Sequence, residues 1–250
     1  MDGSARIVVG PGPQRSALEV AASAPPFSIR RCGGRVLVAA SAAGPVGGDH
    51  LRLDLTVRPN ARADIGSVGA MSVHPGPRGD ASSLITTCTV GAGAHLAWWA
   101  EPTVSIVGSD HTMRTVVDLA DDATCRIVEE VSLGRTGEAP GRLHLALHVT
   151  RGGRPVVRHA ETFGDSPGPT PSLVSVGGAR HVLSAVLVGV DAGVSRTVVT
   201  DECRAAWLPM AADVAVVLAV GSDRPVVRFT LADLAPELTA PGASSETRYR

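Results

Sequence analysis

The chain has 250 residues, enough for one large all-β domain or two small ones. Its net charge of −1 gives no reason to expect nucleic acid or an anionic membrane as a partner. All 23 basic residues are arginine, which excludes Schiff-base chemistry and the lysine of a phosphate-binding P-loop. Hydrophobic residues make up 44% of the chain but aromatic residues only 3%, so valine, leucine, isoleucine and alanine must fill the core.

Short apolar segments separated by proline and glycine begin the chain, at 6–9, 17–21, 27–31 and 35–40. Residues 51–57 then alternate without error between apolar and polar side chains. A period of two predicts a strand with one buried face. The same pattern predicts further strands at 62–68, 84–90, 94–99, 103–107, 112–119, 124–133, 142–151, 155–163, 195–199, 206–209 and 214–220.

Helical spacing is found in two places near the C-terminal end. Residues 179–188 carry apolar side chains at helical intervals and predict a helix, and 231–238 predict a short final one. The proline-rich segment 164–178 is expected to be a long surface connection, and the polar tail 239–250 is expected to be disordered. The sequence therefore predicts a single all-β domain over 1–238 with one or two short helices.

A recurring turn separates the strands in the middle of the chain. Each copy places an apolar residue, two spacers, then Asn60, Gly93 or Asp122, followed by alanine, one spacer and an apolar residue. Asparagine, glycine and aspartate are the residues that turn the chain most easily through the left-handed region. Because the turn recurs after 33 and then 29 residues, it predicts stacked coils of sheet that resemble a β-helix.

Cysteine spacing and the first residues indicate the compartment. The four cysteines contain no CxxC pair, which predicts reduced, mostly buried thiols rather than a disulfide framework. Residues 1–6 lack the basic-then-apolar layout of a signal peptide. The longest apolar stretches, around 182–190 and 214–220, are too short to span a bilayer. We therefore expect a cytoplasmic protein without a membrane partner.

One acidic residue breaks the alternation of the predicted strand 124–133. Glu129 shares a face with the apolar residues of this strand, whereas Glu130 belongs to the opposite face and is expected at the surface. A carboxylate on an apolar face must find a partner or shift its pKa. Glu129 therefore has two interpretations: it forms an ion pair with an arginine, or it is a polar point on an internal route for a cation. In their own strand, Thr86 and Cys88 lie on the same face as the residues predicted to be interior, so they could line the same route.

Two local patterns that suggest other chemistry are rejected. Residues 164–168 match the GxSxG nucleophile elbow, but Pro167 follows the serine and has no N–H to donate to an oxyanion. His144 and His148 lie about 13 Å apart on a strand, at ~3.3 Å per residue, and cannot share one metal ion. We expect both histidines on a solvated face.

Four short motifs stand in a fixed order between residues 44 and 138. They are Pro-Val-Gly-Gly-Asp-His-Leu-Arg-Leu at 45–53, Gly-Ala at 69–70 with a valine at 73, Leu-Ala-Trp-Trp-Ala-Glu-Pro-Thr at 96–103, and Gly-Arg with Gly-Glu at 134–138. Together they resemble the signatures of the UreD-type urease accessory proteins, also called UreH. The signature residues that can be carried over are Gly47, Gly48, Asp49, Arg52, Trp98, Gly134, Arg135, Gly137 and Glu138.

Departures from the family pattern mark a divergent member. Ala97 stands where the family usually has glutamate, and Ala100 where it has proline. Ser72 and His74 replace a usual lysine and tyrosine.

The resemblance implies a β-helix-like fold with a few helices and no catalysis of its own. It implies an accessory protein that binds apo-urease, together with a helical UreF-type partner and a UreG-type GTPase, and that assists nickel insertion. It also implies no tightly bound cofactor, with nickel only in transit. The candidate residues for transient nickel contact are Glu129, Cys88, Thr86 and Asp49.

Two other classes of function remain to be compared with this one. An all-β metal-assisted hydrolase could use histidine and aspartate from loops, but no convergent set is visible locally. A passive nickel-storage protein is disfavoured because the chain has no histidine-rich tract.

Overall fold

A computed structural model describes residues 1–164 and 178–238. Most of the predicted connection 164–178, the serine of the GxSxG pattern and the predicted tail 239–250 lie outside these residues. Within these ranges, eighteen strands, one α-helix and one short 3-10 helix confirm the all-β class. In the described ranges, no helix is long and apolar enough to cross a bilayer.

Most strands agree closely with the predicted strand segments; the short β7 has no predicted counterpart, and β15 falls in a segment predicted as a helix. In chain order they are Asp2–Gly10 (β1), Ala17–Ser23 (β2), Phe27–Cys32 (β3), Arg35–Ala40 (β4), His50–Val57 (β5), Arg62–Val68 (β6), Met71–Val73 (β7), Ser82–Val90 (β8), His95–Trp99 (β9), Thr103–Ser105 (β10), Asp110–Leu119 (β11), Thr124–Ser132 (β12), Arg142–Arg151 (β13), Arg154–Phe163 (β14), His181–Val188 (β15), Arg196–Val199 (β16), Cys203–Ala211 (β17) and Val214–Gly221 (β18).

Two sheets face each other and enclose the main core. Sheet A has seven strands in the order β14-β13-β11-β8-β5-β1-β2. Sheet B has the order β16-β17-β18-β15-β12-β9-β6-β4-β3, and β10 and β7 extend it beside β12. The core between the sheets is mainly aliphatic, as the low aromatic content requires; among the described residues, Trp98 is the aromatic side chain buried in it, and Phe27 packs against it.

Stacked parallel coils form the centre of the molecule. Each coil contributes one strand to sheet A and the next strand to sheet B. Thus β5, β8, β11 and β13 stack in parallel on one side, and β6, β9 and β12 stack on the other. Paired residues are 33 positions apart between β5 and β8 and 29 apart between β9 and β12. These offsets equal the predicted turn steps and confirm the repeat.

The repeated turns lie one above another at one edge of the coils. Asn60 and Gly93 have φ angles of 62° and 64°, in the left-handed region that their residue types tolerate. Asp122 does not adopt this region; its carboxylate instead accepts a hydrogen bond of 2.9 Å from the N–H of Gly93. The alanine that follows each turn is buried, because a larger side chain would separate adjacent coils.

The segment 179–188 is a strand rather than the predicted helix. All eight residues of β15 are buried, so the strand is apolar on both faces and its sequence lacks the alternation of a half-buried strand. One face contacts the core between the sheets, and the other contacts helix α1, Arg224–Leu234. The helix predicted at 231–238 begins later than α1 does. It also merges two observed elements, the end of α1 and the separate 3-10 helix Pro236–Leu238.

Local sequence explains where α1 begins. Asp223 caps the helix by accepting a hydrogen bond of 3.0 Å from the N–H of Val226, and proline follows within the first turn. Val227, Leu231 and Leu234 form the buried stripe, which packs on the outer face of sheet B. Sheet B is thus covered on both faces where α1 lies.

Gly47 permits a close approach between two loops. A Cβ atom at this position would lie 2.2 Å from the carbonyl oxygen of Asp80 and 2.5 Å from the backbone nitrogen of Gly76. Because both neighbours are backbone atoms, they cannot move without displacing the turn that leads into β5.

We expect Gly47→Ala to destabilise the protein by roughly 1–3 kcal/mol, the usual range for overpacking. Thermal melting would measure the change. Gly34→Ala is the matched control, because a Cβ at Gly34 would meet nothing within 4 Å. Equal melting temperatures for the two variants would contradict the packing role of Gly47.

Candidate functional site

A cavity of about 350 Å³ opens between the two sheets and reaches the interior of the coils. Its rim includes exposed residues such as Val68 and Ala70, whereas its inner wall includes Thr86, Trp98 and Glu129. Glu129 is only 2% exposed. The cavity therefore connects the surface to a buried carboxylate.

Glu129 has one hydrogen-bond partner and no counter-charge. Its Oε1 accepts a hydrogen bond from the Thr115 hydroxyl, and its Oε2 has no partner. No arginine in the described part of the chain forms an ion pair with it, so the ion-pair reading of the sequence is wrong. Burial raises the pKa of Glu129 to about 7, although the Thr115 hydrogen bond acts in the opposite direction.

The hydroxyls of Thr86 and Thr115 belong to adjacent strands opposite Glu129. Thr115 and Thr86 are register partners in the parallel pair of β11 and β8, and both side chains are buried. Thr115 was not among the predicted candidates. The pattern that identified Thr86 would also have identified Thr115: each is a polar residue at a position of an alternating strand whose side chain points to the interior.

Cys88 and Asp49 do not line the cavity. Cys88 is fully buried two residues beyond Thr86, and burial raises the pKa of its thiol far above the ordinary value, with the charges of Cys125 and Glu129 adding to the effect. Its sulfur is therefore protonated. Asp49 accepts hydrogen bonds from the Met1 amine at 2.6 Å and from the N–H of Val46 at 2.9 Å, which fix the turn before β5.

Glu130 is not at the surface, contrary to the prediction. Its carboxylate is 0% exposed and lies between sheet B and α1. It accepts hydrogen bonds from His181 Nε2 at 3.0 Å, from Arg224 Nε at 2.9 Å and from the Arg228 guanidinium. Burial alone would raise the pKa of Glu130, but the His181 hydrogen bond and the two arginine charges outweigh it and hold the pKa below its ordinary value.

Adjacent glutamates in one strand therefore occupy opposite electrostatic environments. Glu130 is neutralised by two cations, whereas Glu129 faces the cavity without one. The sequence reading missed His181, Arg224 and Arg228, because it assigned 179–188 to a helix and began the final helix after both arginines.

The signature residues at 134–138 shape a loop. Gly134 and Gly137 have φ angles of 76° and 75°, which glycine tolerates. The side chain of Glu138 accepts a hydrogen bond of 3.1 Å from the N–H of Arg135. Arg180, which was not predicted, donates to the carbonyl oxygens of Arg135 and Glu138 at 2.7 and 2.5 Å.

The other signature residues also have structural contacts. Arg52 pairs with Asp54 on the outer surface of β5 at 3.0 Å. Gly48 has a φ angle of 90°, and Trp98 packs in the core beside the cavity.

Three of the four departures from the family pattern line the cavity. Ser72, His74 and Ala100 contribute to its wall near the rim. Ala97 points to the other face of sheet B and packs in the cluster beneath α1. Three of the positions that the resemblance marks as departures therefore lie on the cavity wall.

No group of three or more histidine, cysteine, aspartate or glutamate residues in the described ranges could hold a metal ion. His144 is exposed and contacts Thr162 at 3.0 Å, and His148 is half-buried with the same parity on β13, as predicted. Fold and site together define a β-solenoid scaffold with one uncompensated interior acid.

The comparisons with known proteins identify the scaffold's family. The family model for the UreD urease accessory protein matches residues 1–237. A urease accessory protein UreD of Streptomyces coelicolor is 34% identical over 229 residues, covering 88% of this chain and 90% of the relative. A UreD 3 of Streptomyces griseus subsp. griseus is 33% identical over 239 residues, covering 91% and 92%. The chain belongs to the UreD family of urease accessory proteins, which are not enzymes themselves, so the hydrolase alternative is set aside.

Proposed function

We propose that this protein assists nickel insertion into apo-urease, as part of a complex with a UreF-type helical protein and a UreG-type GTPase. In this role nickel is cargo that passes the cavity and contacts Glu129 in transit. Membership in a family of urease accessory proteins supports the task, and the cavity that ends at an uncompensated carboxylate supports the contact.

The donor set around Glu129 suits passage rather than storage. One carboxylate with nearby threonine hydroxyls offers few and weak ligands, so a cation would be held only loosely. Glu129 and Thr86 lie on the cavity wall and are proposed to contact the cation there. Cys88 lies deeper and would become a good nickel ligand only if its thiol lost a proton. Asp49 would have to give up its contacts with the Met1 amine and Val46 before it could bind a cation.

The experiment that tests the function is a clean deletion of this protein in its own host. We expect urease subunits to be made and assembled, but to be poor in nickel and inactive. Nickel content per urease active site and urease activity would be measured together, with the gene returned on a plasmid as the control. Normal urease activity in the deletion strain would refute the proposed function.

A further inference from the structure

Sheet B extends beyond the edge of sheet A. Sheet A ends at β14, whose only strand partner in the described ranges is β13. Sheet B continues through β15, β18 and β17 to β16. The second hydrogen-bonding edge of β14 is therefore free of any described strand, and it lies beside a sheet face that sheet A covers only in part.

This partly covered face is mainly apolar and partly exposed, although Thr197 and Arg204 also lie on it. On β17 the side chains that point towards α1, such as Cys203 and Trp207, are buried. The alternate side chains Ala206 and Leu208 are only half-buried, and Val199 on β16 is 74% exposed. An apolar sheet face beside a free strand edge is a site where another chain can add.

A groove of about 340 Å³ lies at the junction of the two features. The groove contains polar atoms without hydrogen-bond partners: the hydroxyl of Ser184, which is 3% exposed, and the Nε2 atom of His159. The nearest carboxylate oxygen to that Nε2 is on Glu161 at 3.6 Å, too far for a hydrogen bond. Buried polar atoms of this kind need a partner, and a ligand in the groove could supply it. The apolar wall includes Leu145, Val182, Leu218 and Val220.

The edge of the groove on sheet A carries positive charge. Arg154 and Arg158 on β14 are exposed and form no ion pair with a described residue. Glu161 is the acidic residue of β14, and it faces into the groove beside His159. A strand that adds to β14 would place its outward side chains next to Arg158 and its inward side chains against the apolar face.

We propose that the edge of β14 that no described strand occupies and the partly exposed face of β16, β17 and β18 form a docking site for an extended, acidic segment of a partner protein. The segment adds to sheet A as one more strand. Successive side chains of a strand point to opposite faces. The apolar residues of the added segment would therefore pack on sheet B, and its acidic residues would lie over Arg158. A polar inward side chain would complete the hydrogen bonding of Ser184 or His159. This interaction is independent of nickel passage.

The test uses a fluorescent eight-residue peptide in which valine and glutamate alternate, with the full-length protein. We expect saturable binding, and slower amide hydrogen exchange across 154–163, because main-chain N–H groups of the free edge become hydrogen-bonded. A peptide that alternates valine and lysine should not bind. Unchanged exchange across 154–163 at saturating peptide would overturn the proposal.

Three variants separate strand addition from charge attraction alone. Arg158→Glu should weaken binding about tenfold, as expected for a charge next to the bound strand, whereas Arg114→Glu, on a central strand of the same outer face, should change it less than about twofold. Ala206→Arg adds a positive charge but fills the groove, so it should abolish binding while circular dichroism shows an intact fold. Equal weakening by the Arg158 and Arg114 variants, or tighter binding by Ala206→Arg, would indicate nonspecific attraction and refute the site. A dimer that Arg158→Glu dissociates would identify a second copy as the occupant and refute the partner segment.

Discussion

Glu129→Gln is expected to stabilise the protein above pH 7 and yet to slow nickel loading of urease. Glutamine keeps the shape of the side chain and can still accept the hydrogen bond from Thr115, but it carries no charge. The variant therefore removes an uncompensated buried carboxylate and, with it, the proposed transit ligand.

The stability effect depends on pH with a definite sign. The pKa of Glu129 is raised from 4.5 to about 7 in the folded protein, so between these values the folded state holds a proton that the unfolded state has lost. The contribution of Glu129 to the stability of the wild type therefore falls as pH rises from 4.5 to 7 and is lowest above 7. The difference amounts to at most roughly 3.5 kcal/mol, at about 1.4 kcal/mol per pKa unit.

Melting temperatures at pH 5 and pH 8 would measure this effect, and nickel per urease active site at limiting nickel would measure the transport effect. The two proteins should melt alike near pH 5, and the variant should melt higher at pH 8. Glu202→Gln, at an exposed position, is the control for loss of one negative charge. Unchanged nickel loading with an intact partner complex would refute the transit role, whatever the melting curves show.

Glu130→Ala is expected to lower stability by roughly 3 kcal/mol, the lower part of the range for breaking a buried ion pair. The lower part applies because Arg224 and Arg228 are about a third exposed and can turn to solvent, whereas His181 loses its partner inside the protein. For a protein of this size the loss corresponds to a melting temperature lower by about 6–12 °C.

Glu101→Ala is the matched control for Glu130→Ala. Glu101 also pairs with Arg224, at 2.9 Å, but its side chain is 35% exposed. Exposed ion pairs contribute about 0–1 kcal/mol, so we expect a much smaller change. Similar melting temperatures for the two variants would contradict the view that Glu130 anchors α1 through a buried charge.

Local patterns predicted most of the fold because most strands are half-buried. Alternation located strands such as β5 and β13 within one residue of their observed ends. Turn chemistry at Asn60 and Gly93 predicted the stacking offset, since the residue that tolerates a left-handed turn recurs once in each coil. The pairing of sheet B with α1 could not be predicted this way, because it depends on residues distant in the sequence.

Two of the errors have a common cause, which is burial on both faces. A strand covered by the core on one side and by α1 on the other needs no polar residue, so β15 lost the signal that separates a strand from a helix. The alternation of side chains along β12 correctly predicted that Glu129 faces the interior. It wrongly predicted that Glu130 faces solvent, because the opposite face of β12 is also buried. The start of α1 does have a local signal in the sequence, the capping Asp223 followed by a proline, which the apolar periodicity alone does not include.

The order of coils along the chain has a consequence for biosynthesis. Each parallel strand of the solenoid pairs with the strand one coil earlier, so the stack can grow in step with the nascent chain as it leaves the ribosome. Helix α1 emerges after all eighteen strands, and until it docks, Glu130 and the apolar outer face of sheet B remain open to water. A chain that ends between residues 221 and 224 would therefore contain the described strands but leave this apolar face uncovered, with the Glu130 carboxylate on it, and we expect holdase chaperones and proteases to bind such chains.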